Sequence, residues 1–250
     1  MTAVPTTAMV LAAGLGTRMR PLTDSRPKAL IEVGGRTLID HTLDRLAEAG
    51  VTTAVVNVHA HAEQLIAHLD ARAARDASLK IHISDERGAL LETGGGVRKA
   101  RALLGEAPIW VANSDYVWID GSRPSALAQL AALWDPARMD SLVIVVPKAR
   151  TQGFDTPGDF FRDQDGRLTH RGASPTAPLH CFGVQILDPR PVYETPEERF
   201  SLFRTWMAAQ ARGRLFGHLP EGLWMQVGDP PALEAAEARL RAASVASAGV

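Results

Sequence analysis

Apolar positions along this chain fall into two textures that take turns. Nearly unbroken runs at residues 9–13, 53–58, 109–112 and 141–146 have strand length and little polar face, as strands covered on both sides do. Residues 79–84 alternate apolar and polar positions and predict a further strand. Between these runs the spacing switches to that of helices. Residues 37–49 set Leu38, Ile39, Leu43, Leu46 and Ala47 on one helical face, and Gly50 supplies a stop. Residues 63–72 and 125–134 predict two more helices, and Gly94-Gly95-Gly96 opens another running to about residue 104. Strand and helix repeated this often predict an α/β fold: a mostly parallel (mixed), doubly wound sheet with helices on both faces.

After Pro147 the pattern changes. Residues 160–170 hold an Asp165-Gly166 turn between two short strand-like arms, which is a hairpin signal. A strand at 180–187, a helix at 201–212 and a strand at 214–219 follow. Pro230-Pro231 then starts a last helix over 232–242. No repeat or low-complexity linker interrupts the chain, so one domain spanning 1–250 is expected, with a partly antiparallel C-terminal portion. The small residues of 242–250 are expected to fray.

Composition narrows the classes. With 46% hydrophobic residues in 250, a packed core is assured, and a formal net charge of −1 lacks the basic excess of a nucleic-acid binder. Cations that handle phosphate must therefore be placed locally, by motif. Cys181 is the single cysteine, which excludes an internal disulfide and a multi-cysteine zinc site. It lies in an apolar run and reads as a small core residue. The first eight residues carry no basic stretch, and the apolar run after them is only strand length. Neither a signal peptide nor a membrane span is expected, and a cytoplasmic protein is.

The sharpest segment is Leu11-Ala12-Ala13-Gly14-Leu15-Gly16-Thr17-Arg18-Met19-Arg20-Pro21-Leu22-Thr23. A buried strand delivers the chain to a loop whose two glycines let backbone N–H groups approach phosphate oxygens. Arg18 then adds a guanidinium fork. The dinucleotide fingerprint requires a glycine where Met19 stands, and the Walker loop requires Gly-Lys-Ser/Thr where Gly16-Thr17-Arg18 stands; neither fits. A plain turn would account for the glycines but not for the nearby cations. Lys28, after Pro27, reads either as a point charge reaching back to an α-phosphate or as an ordinary solvated lysine.

Two more clusters carry chemistry. Leu91-Glu92-Thr93-Gly94-Gly95-Gly96 reads either as backbone exposed ahead of a helix start, which suits a flat ligand and favours anions, or as a flexible loop leading into a helix. Asp115 follows a buried strand at the carboxyl edge where open α/β sheets bind ligands; a carboxylate there either holds Mg²⁺ beside phosphate oxygens or caps the next helix or turn.

The first loop resembles the signature of the sugar-1-phosphate nucleotidyltransferase family, Leu-Ala-Ala-Gly-x-Gly-x-Arg-Met-x-Pro-Leu-Thr followed by Pro-Lys. The resemblance runs from Leu11 to the final helix and implies a Rossmann-like GT-A fold. It implies a nucleotide-binding portion at about 1–150, a sugar-phosphate portion at about 151–230 and a terminal helix and tail at 231–250. By position it assigns Ala12, Ala13, Gly14, Gly16, Thr17, Arg18, Lys28, Thr93 and Gly94 to the nucleotide, with Arg18 and Lys28 as the catalytic cations. Asp115 falls on the family's Asn-Gly-Asp metal ligand, with Ser114 in place of the glycine. The family's second ligand, in Trp-x-Asp-Val-Gly-Thr, is Gln226 here, within Trp224-Met225-Gln226-Val227-Gly228-Asp229. An amide oxygen coordinates Mg²⁺ without supplying charge. Asp229, three residues on, substitutes only if the loop bends differently.

Leu-Glu-Thr-Gly-Gly-Gly and Gly158-Asp159-Phe160 resemble the branch of the family that uridylylates N-acetylmuramate 1-phosphate. The resemblance implies Asp159 and Gly183 at the sugar phosphate, UTP as the nucleotide and Mg²⁺ as the cofactor. Asp159 read without it is equally a turn residue after Pro157-Gly158. The histidines are scattered and assemble no metal site. The partners expected are small molecules only, a nucleoside triphosphate and a sugar 1-phosphate. Rival readings are guanylyl or thymidylyl transfer to mannose- or glucose-type phosphates, and a nucleotide-sugar sensor weakened by Gln226.

Overall fold

The computed structural model describes residues 4–248. In chain order its first elements are β1 (Thr7–Leu11), β2 (Glu32–Val33), β3 (Arg36–Thr37), α1 (Leu38–Glu48), β4 (Thr53–Val58), α2 (Ala62–Arg75) and β5 (Lys80–Asp85). They continue as α3 (Glu92–Lys99), α4 (Arg101–Leu104), β6 (Ile109–Asn113), β7 (Tyr116–Asp120), α5 (Ala126–Leu133), β8 (Ser141–Pro147) and β9 (Thr151–Gln152). The remainder is β10 (Phe160–Arg162), β11 (Leu168–His170), β12 (Leu179–Leu187), α6 (Arg190–Tyr193), α7 (Leu202–Ala211), β13 (Leu215–His218), β14 (Gly222–Gln226) and α8 (Pro230–Ala248).

The main sheet runs β5-β4-β1-β6-β12-β8-β13, with the β10-β11 hairpin on the far end of β12. Neighbours β5, β4, β1 and β6 are parallel. Along this row only β12 runs opposed, pairing antiparallel with both β6 and β8. Burial on both faces follows from the strand pattern. Ala8 and Val10 pack with Leu43, Leu46, Leu65 and Leu69 of α1 and α2, while Met9 faces Val97, Ile109 and Val111 on the other side. Each fully buried leucine or valine adds about 1.5–3 kcal/mol.

Helix starts are set by local chemistry. Thr37 caps α1 and accepts from Asp40 N, Ser125 caps α5, and Ser201 caps α7. Asp229 Oδ1 accepts the Ala232 N–H at 2.9 Å and caps α8. Helix α8 runs on to Ala248, through most of the stretch expected to fray, while residues 249–250 lie outside the described residues. The pattern also missed a second sheet, β7-β14-β9, in which Trp224 is the register partner of Trp118. Those two rings stack at 5.5 Å with Phe182 edge-on at 4.5 Å from Trp224, so the second sheet is pinned to β12 by aromatic contact.

At the β8–β13 seam, Asp140 accepts from Arg214 Nε at 2.6 Å and Arg212 Nη2 at 2.7 Å. Burial alone would raise its pKa, but the two guanidiniums hold it below the usual 3.8. A depressed folded-state pKa adds stability that is present above 3.8 and is lost as pH falls below it. Asp140→Asn is expected to cost about 2 kcal/mol at neutral pH. In urea melts the gap from the parent should narrow below about pH 4. An equal gap at pH 3 and pH 7 would contradict the ion-pair account.

Candidate active site

The glycine loop leaves β1 and folds back across the carboxyl edge of the sheet. Ala12 and Ala13 donate their N–H groups to Asn57 Oδ1 at 2.6 and 3.2 Å. Gly16 takes φ 63°, which only glycine adopts freely, and a Cβ there would meet Thr23 Cγ2 at 2.9 Å. Thr23 Oγ1 donates to Gly16 O at 2.8 Å and fastens the crook. Residues 17–19 then form one 3₁₀ turn that buries Met19 and leaves Arg18 exposed. Among the described residues Arg18 has no ion-pair partner, and its guanidinium lies over the Gly228 backbone. An unpaired guanidinium beside a glycine crook is prepared for an anion.

Lys28 opens a second short turn, and its Nζ lies 2.5 Å from Asp115 Oδ2, with the side chains 14% and 21% exposed. Asp115 occupies the tight turn between β6 and β7. Ser114, which stands where the family pattern has glycine, ties that turn down: its N–H and Oγ both donate to Leu11 O, at 3.2 and 3.0 Å. The departure from the pattern therefore supplies an anchor.

These groups border a cleft of about 330 Å³. Of the residues expected at the site, Ala12, Ala13, Gly14, Gly16, Thr17, Arg18, Lys28, Thr93 and Asp115 line it. Gly94 does not. The three glycines lie inside α3 rather than ahead of it, and the Gly94 and Gly95 amides donate to Phe200 O at 2.9 and 3.1 Å. A Cβ on Gly94 would collide with the Phe200 ring, so what requires glycine here is close packing of residues 198–200 on the helix. Those two amides are spent and offer nothing to an anion. Thr93 Oγ1 accepts the Leu202 N–H at 2.8 Å and joins α3 to α7.

Asp159 and Gly183 do not line the cleft. Asp159 Oδ2 accepts the Cys181 N–H at 2.8 Å, so the carboxylate is bound to β12 as well as following a turn. Gly183, at φ 69° in the irregular stretch of β12, abuts Asn113 and Tyr116, which flank Asp115. Desolvation pushes the thiol of half-buried Cys181 up to about 12, which favours its protonated form at neutral pH. Burial, with the charge of Asp115 next in importance, raises the Tyr116 hydroxyl well above its ordinary value.

Gln226 is the ladder partner of Tyr116, and the next residue, Val227, donates its N–H to Asp115 O at 2.9 Å. The altered motif thus reaches the Asp115 turn, although Gln226 does not line the cleft and Gly228 does. Asp229 uses one carboxylate oxygen, Oδ1, to cap α8. Among the described residues no three His, Cys, Asp or Glu side chains gather as a metal-binding group.

Sequence reasoning passed over Asn57 and Glu86, both in the cleft wall. Asn57 Nδ2 donates to Glu86 Oε1 at 2.8 Å, and Glu86 is fully buried, which raises its carboxyl pKa above the usual 4.5. The signal was present: Asn57 is the polar break in an otherwise apolar strand.

A parallel sheet with a cationic glycine crook at its carboxyl edge defines a protein that handles phosphorylated nucleotides. Residues 7–155 match the family model described as "Nucleotidyl transferase", and the chain belongs to that family. The N-acetylmuramate alpha-1-phosphate uridylyltransferase of Caulobacter vibrioides is 52% identical over 240 residues, covering 96% of this chain and 99% of that protein. The mannose-1-phosphate guanyltransferase of Aspergillus fumigatus is 30% identical, over 89% of this chain and 61% of its own length. A UDP-glucose pyrophosphorylase solved with UDP-glucose superposes with a TM-score of 0.76 at 17% identity, over 95% of this chain and 98% of that one. That likeness concerns the fold.

Proposed function

We propose that this protein transfers the uridylyl group of UTP to N-acetylmuramate 1-phosphate, forming the UDP-sugar and pyrophosphate. What supports the reading is the convergence of Arg18, Lys28 and Asp115 on one cleft, in a chain 52% identical over nearly its whole length to the Caulobacter uridylyltransferase. An oxygen of the sugar phosphate attacks the α-phosphorus. The bond from that phosphorus to the bridging oxygen breaks, and pyrophosphate leaves towards the glycine crook. The attacking phosphate is already ionised, so no protein nucleophile or base is required. Catalysis is then alignment and charge neutralisation, with Arg18 and the loop amides on the leaving phosphates and Lys28 on the α-phosphate.

The donors fit Mg²⁺ held chiefly by the substrate: one carboxylate, Asp115, with Gln226 close by, suits an ion that keeps phosphate oxygens and water. Bound there, the ion would neutralise phosphate charge. Muramate is a cell-wall sugar, which puts the reaction in peptidoglycan recycling and, with UTP as donor, in the cytoplasm. Among the described residues no helix is long and apolar enough to cross a membrane.

A grid of nucleoside triphosphates against sugar 1-phosphates, scored by pyrophosphate release, tests the assignment. UTP with N-acetylmuramate 1-phosphate is expected to exceed GTP with mannose 1-phosphate by about 100-fold or more in kcat/KM. The reverse order would transfer the assignment to guanylyl transfer.

Gln226 favours a second reading, a sensor that binds UTP and turns over poorly. Gln226→Asp separates the two. If the parent is a competent enzyme, the added carboxylate should lower the Mg²⁺ needed for half-maximal rate by about tenfold while kcat moves less than about threefold. A rise in kcat of about 100-fold would instead mark a decayed site.

A further inference from the structure

The first two amides of the glycine crook are not free for a ligand, because Asn57 holds them. A primary amide presents an oxygen on one side and a donor on the other, so its orientation must be chosen. Here something chooses it. Asn57 is 3% exposed, its Oδ1 faces the Ala12 and Ala13 N–H groups, and its Nδ2 donates to Glu86 Oε1 at 2.8 Å. Glu86 is itself fully buried beside Gly96, where a Cβ would come within 2.8 Å of Oε1 and 3.0 Å of Asn57 Nδ2. Its other oxygen faces the Leu91 N–H at 3.4 Å, at the head of α3.

We propose that Asn57 and Glu86 form a relay that sets the position of the phosphate crook: Glu86 fixes the rotation of the Asn57 amide, and Asn57 fixes where β1 ends and the loop begins. Both are positioning residues. They place the Gly14–Thr17 amides and Arg18, which meet the phosphates on the reading of the preceding section, and the inference rests on that reading for its functional consequence. The relay also joins the crook to the α3 side of the cleft, so the two walls share one buried hydrogen-bond chain. Among the described residues no hydrogen bond joins the Glu86 carboxylate to Ala12 or Ala13, and the hydrogen-bonded route between them runs through Asn57.

The test begins without ligand. Amide hydrogen exchange at Ala12 and Ala13, taken relative to the core amide of Val10, is expected to quicken about tenfold in Glu86→Leu, the loss of roughly one buried hydrogen bond. Asn57→Asp sets two carboxylates face to face and should quicken the same amides about as much. Asn57→Asp with Glu86→Gln restores a donor to face the acceptor, and exchange should return to within about threefold of the parent. In calorimetry with UTP and Mg²⁺, Asn57→Asp should weaken binding about tenfold, and the double variant should recover it. Ala12 and Ala13 exchange within twofold of the parent in Glu86→Leu would overturn the relay, as would a double variant no better than Asn57→Asp alone. If one variant fails to fold, the other single variant still decides. A parent that binds no nucleotide would defeat the functional reading, and the exchange data would still judge the relay.

Discussion

Lys28→Ala is expected to lower kcat by about 10³-fold while shifting the melting temperature by only a few degrees. The asymmetry follows from position. Lys28 Nζ reaches Asp115 from a short turn at the edge of the cleft, and Lys28 belongs to none of the buried apolar clusters. The pair is largely buried, but Asp115 lines the open cleft and stays reachable by water once Lys28 is gone, so the folding cost is held to about 1–2 kcal/mol. On the proposed mechanism the same ammonium faces charge developing on the transferred phosphate, where a placed donor is worth about 3–4 kcal/mol. Steady-state pyrophosphate release and a thermal melt on one preparation check both halves. Unchanged turnover would remove Lys28 from the mechanism, and a large loss of stability would make it a structural residue.

Asp115→Asn should reduce kcat by about 10²-fold and raise the Mg²⁺ concentration needed for half-maximal rate. The amide keeps the shape of the side chain and gives up the charge that a divalent ion needs. Because Lys28 and Asp115 touch at 2.5 Å, their effects should not add. The double variant is expected within about tenfold of the worse single one, since each change disables the same constellation. Fully multiplicative losses would show that the two act separately. A metal titration of Asp115→Asn that superposes on the parent's would remove this carboxylate from the metal site.

Much of the nucleotide side was legible because its determinants are local. Gly16 needs a left-handed backbone, Pro27 precedes the turn that carries Lys28, and Ala54 to Val58 is apolar but for Asn57; each shows in a few consecutive residues. The Asp165-Gly166 turn closed the β10-β11 hairpin for the same reason. The Gly94 cluster shows where such reading stops. Three adjacent glycines look the same whether they expose amides to a ligand or make room for a neighbour. Phe200, more than a hundred residues along the chain, decides for the neighbour.

The alternation of strand and helix, the glycine crook and its two cations were determined by the sequence itself, since periodicity, left-handed φ and charge placement act within a turn or two of chain. The tertiary structure alone decided that β14 pairs with β7 and brings Gln226 beside the Asp115 turn, that Asp229 caps α8, and that Asn57 meets Glu86. Each of those joins residues distant in the chain. Such contacts are selected by the shared burial of Trp118, Phe182 and Trp224 and by the need to partner every buried polar group, and both are properties of the assembled core.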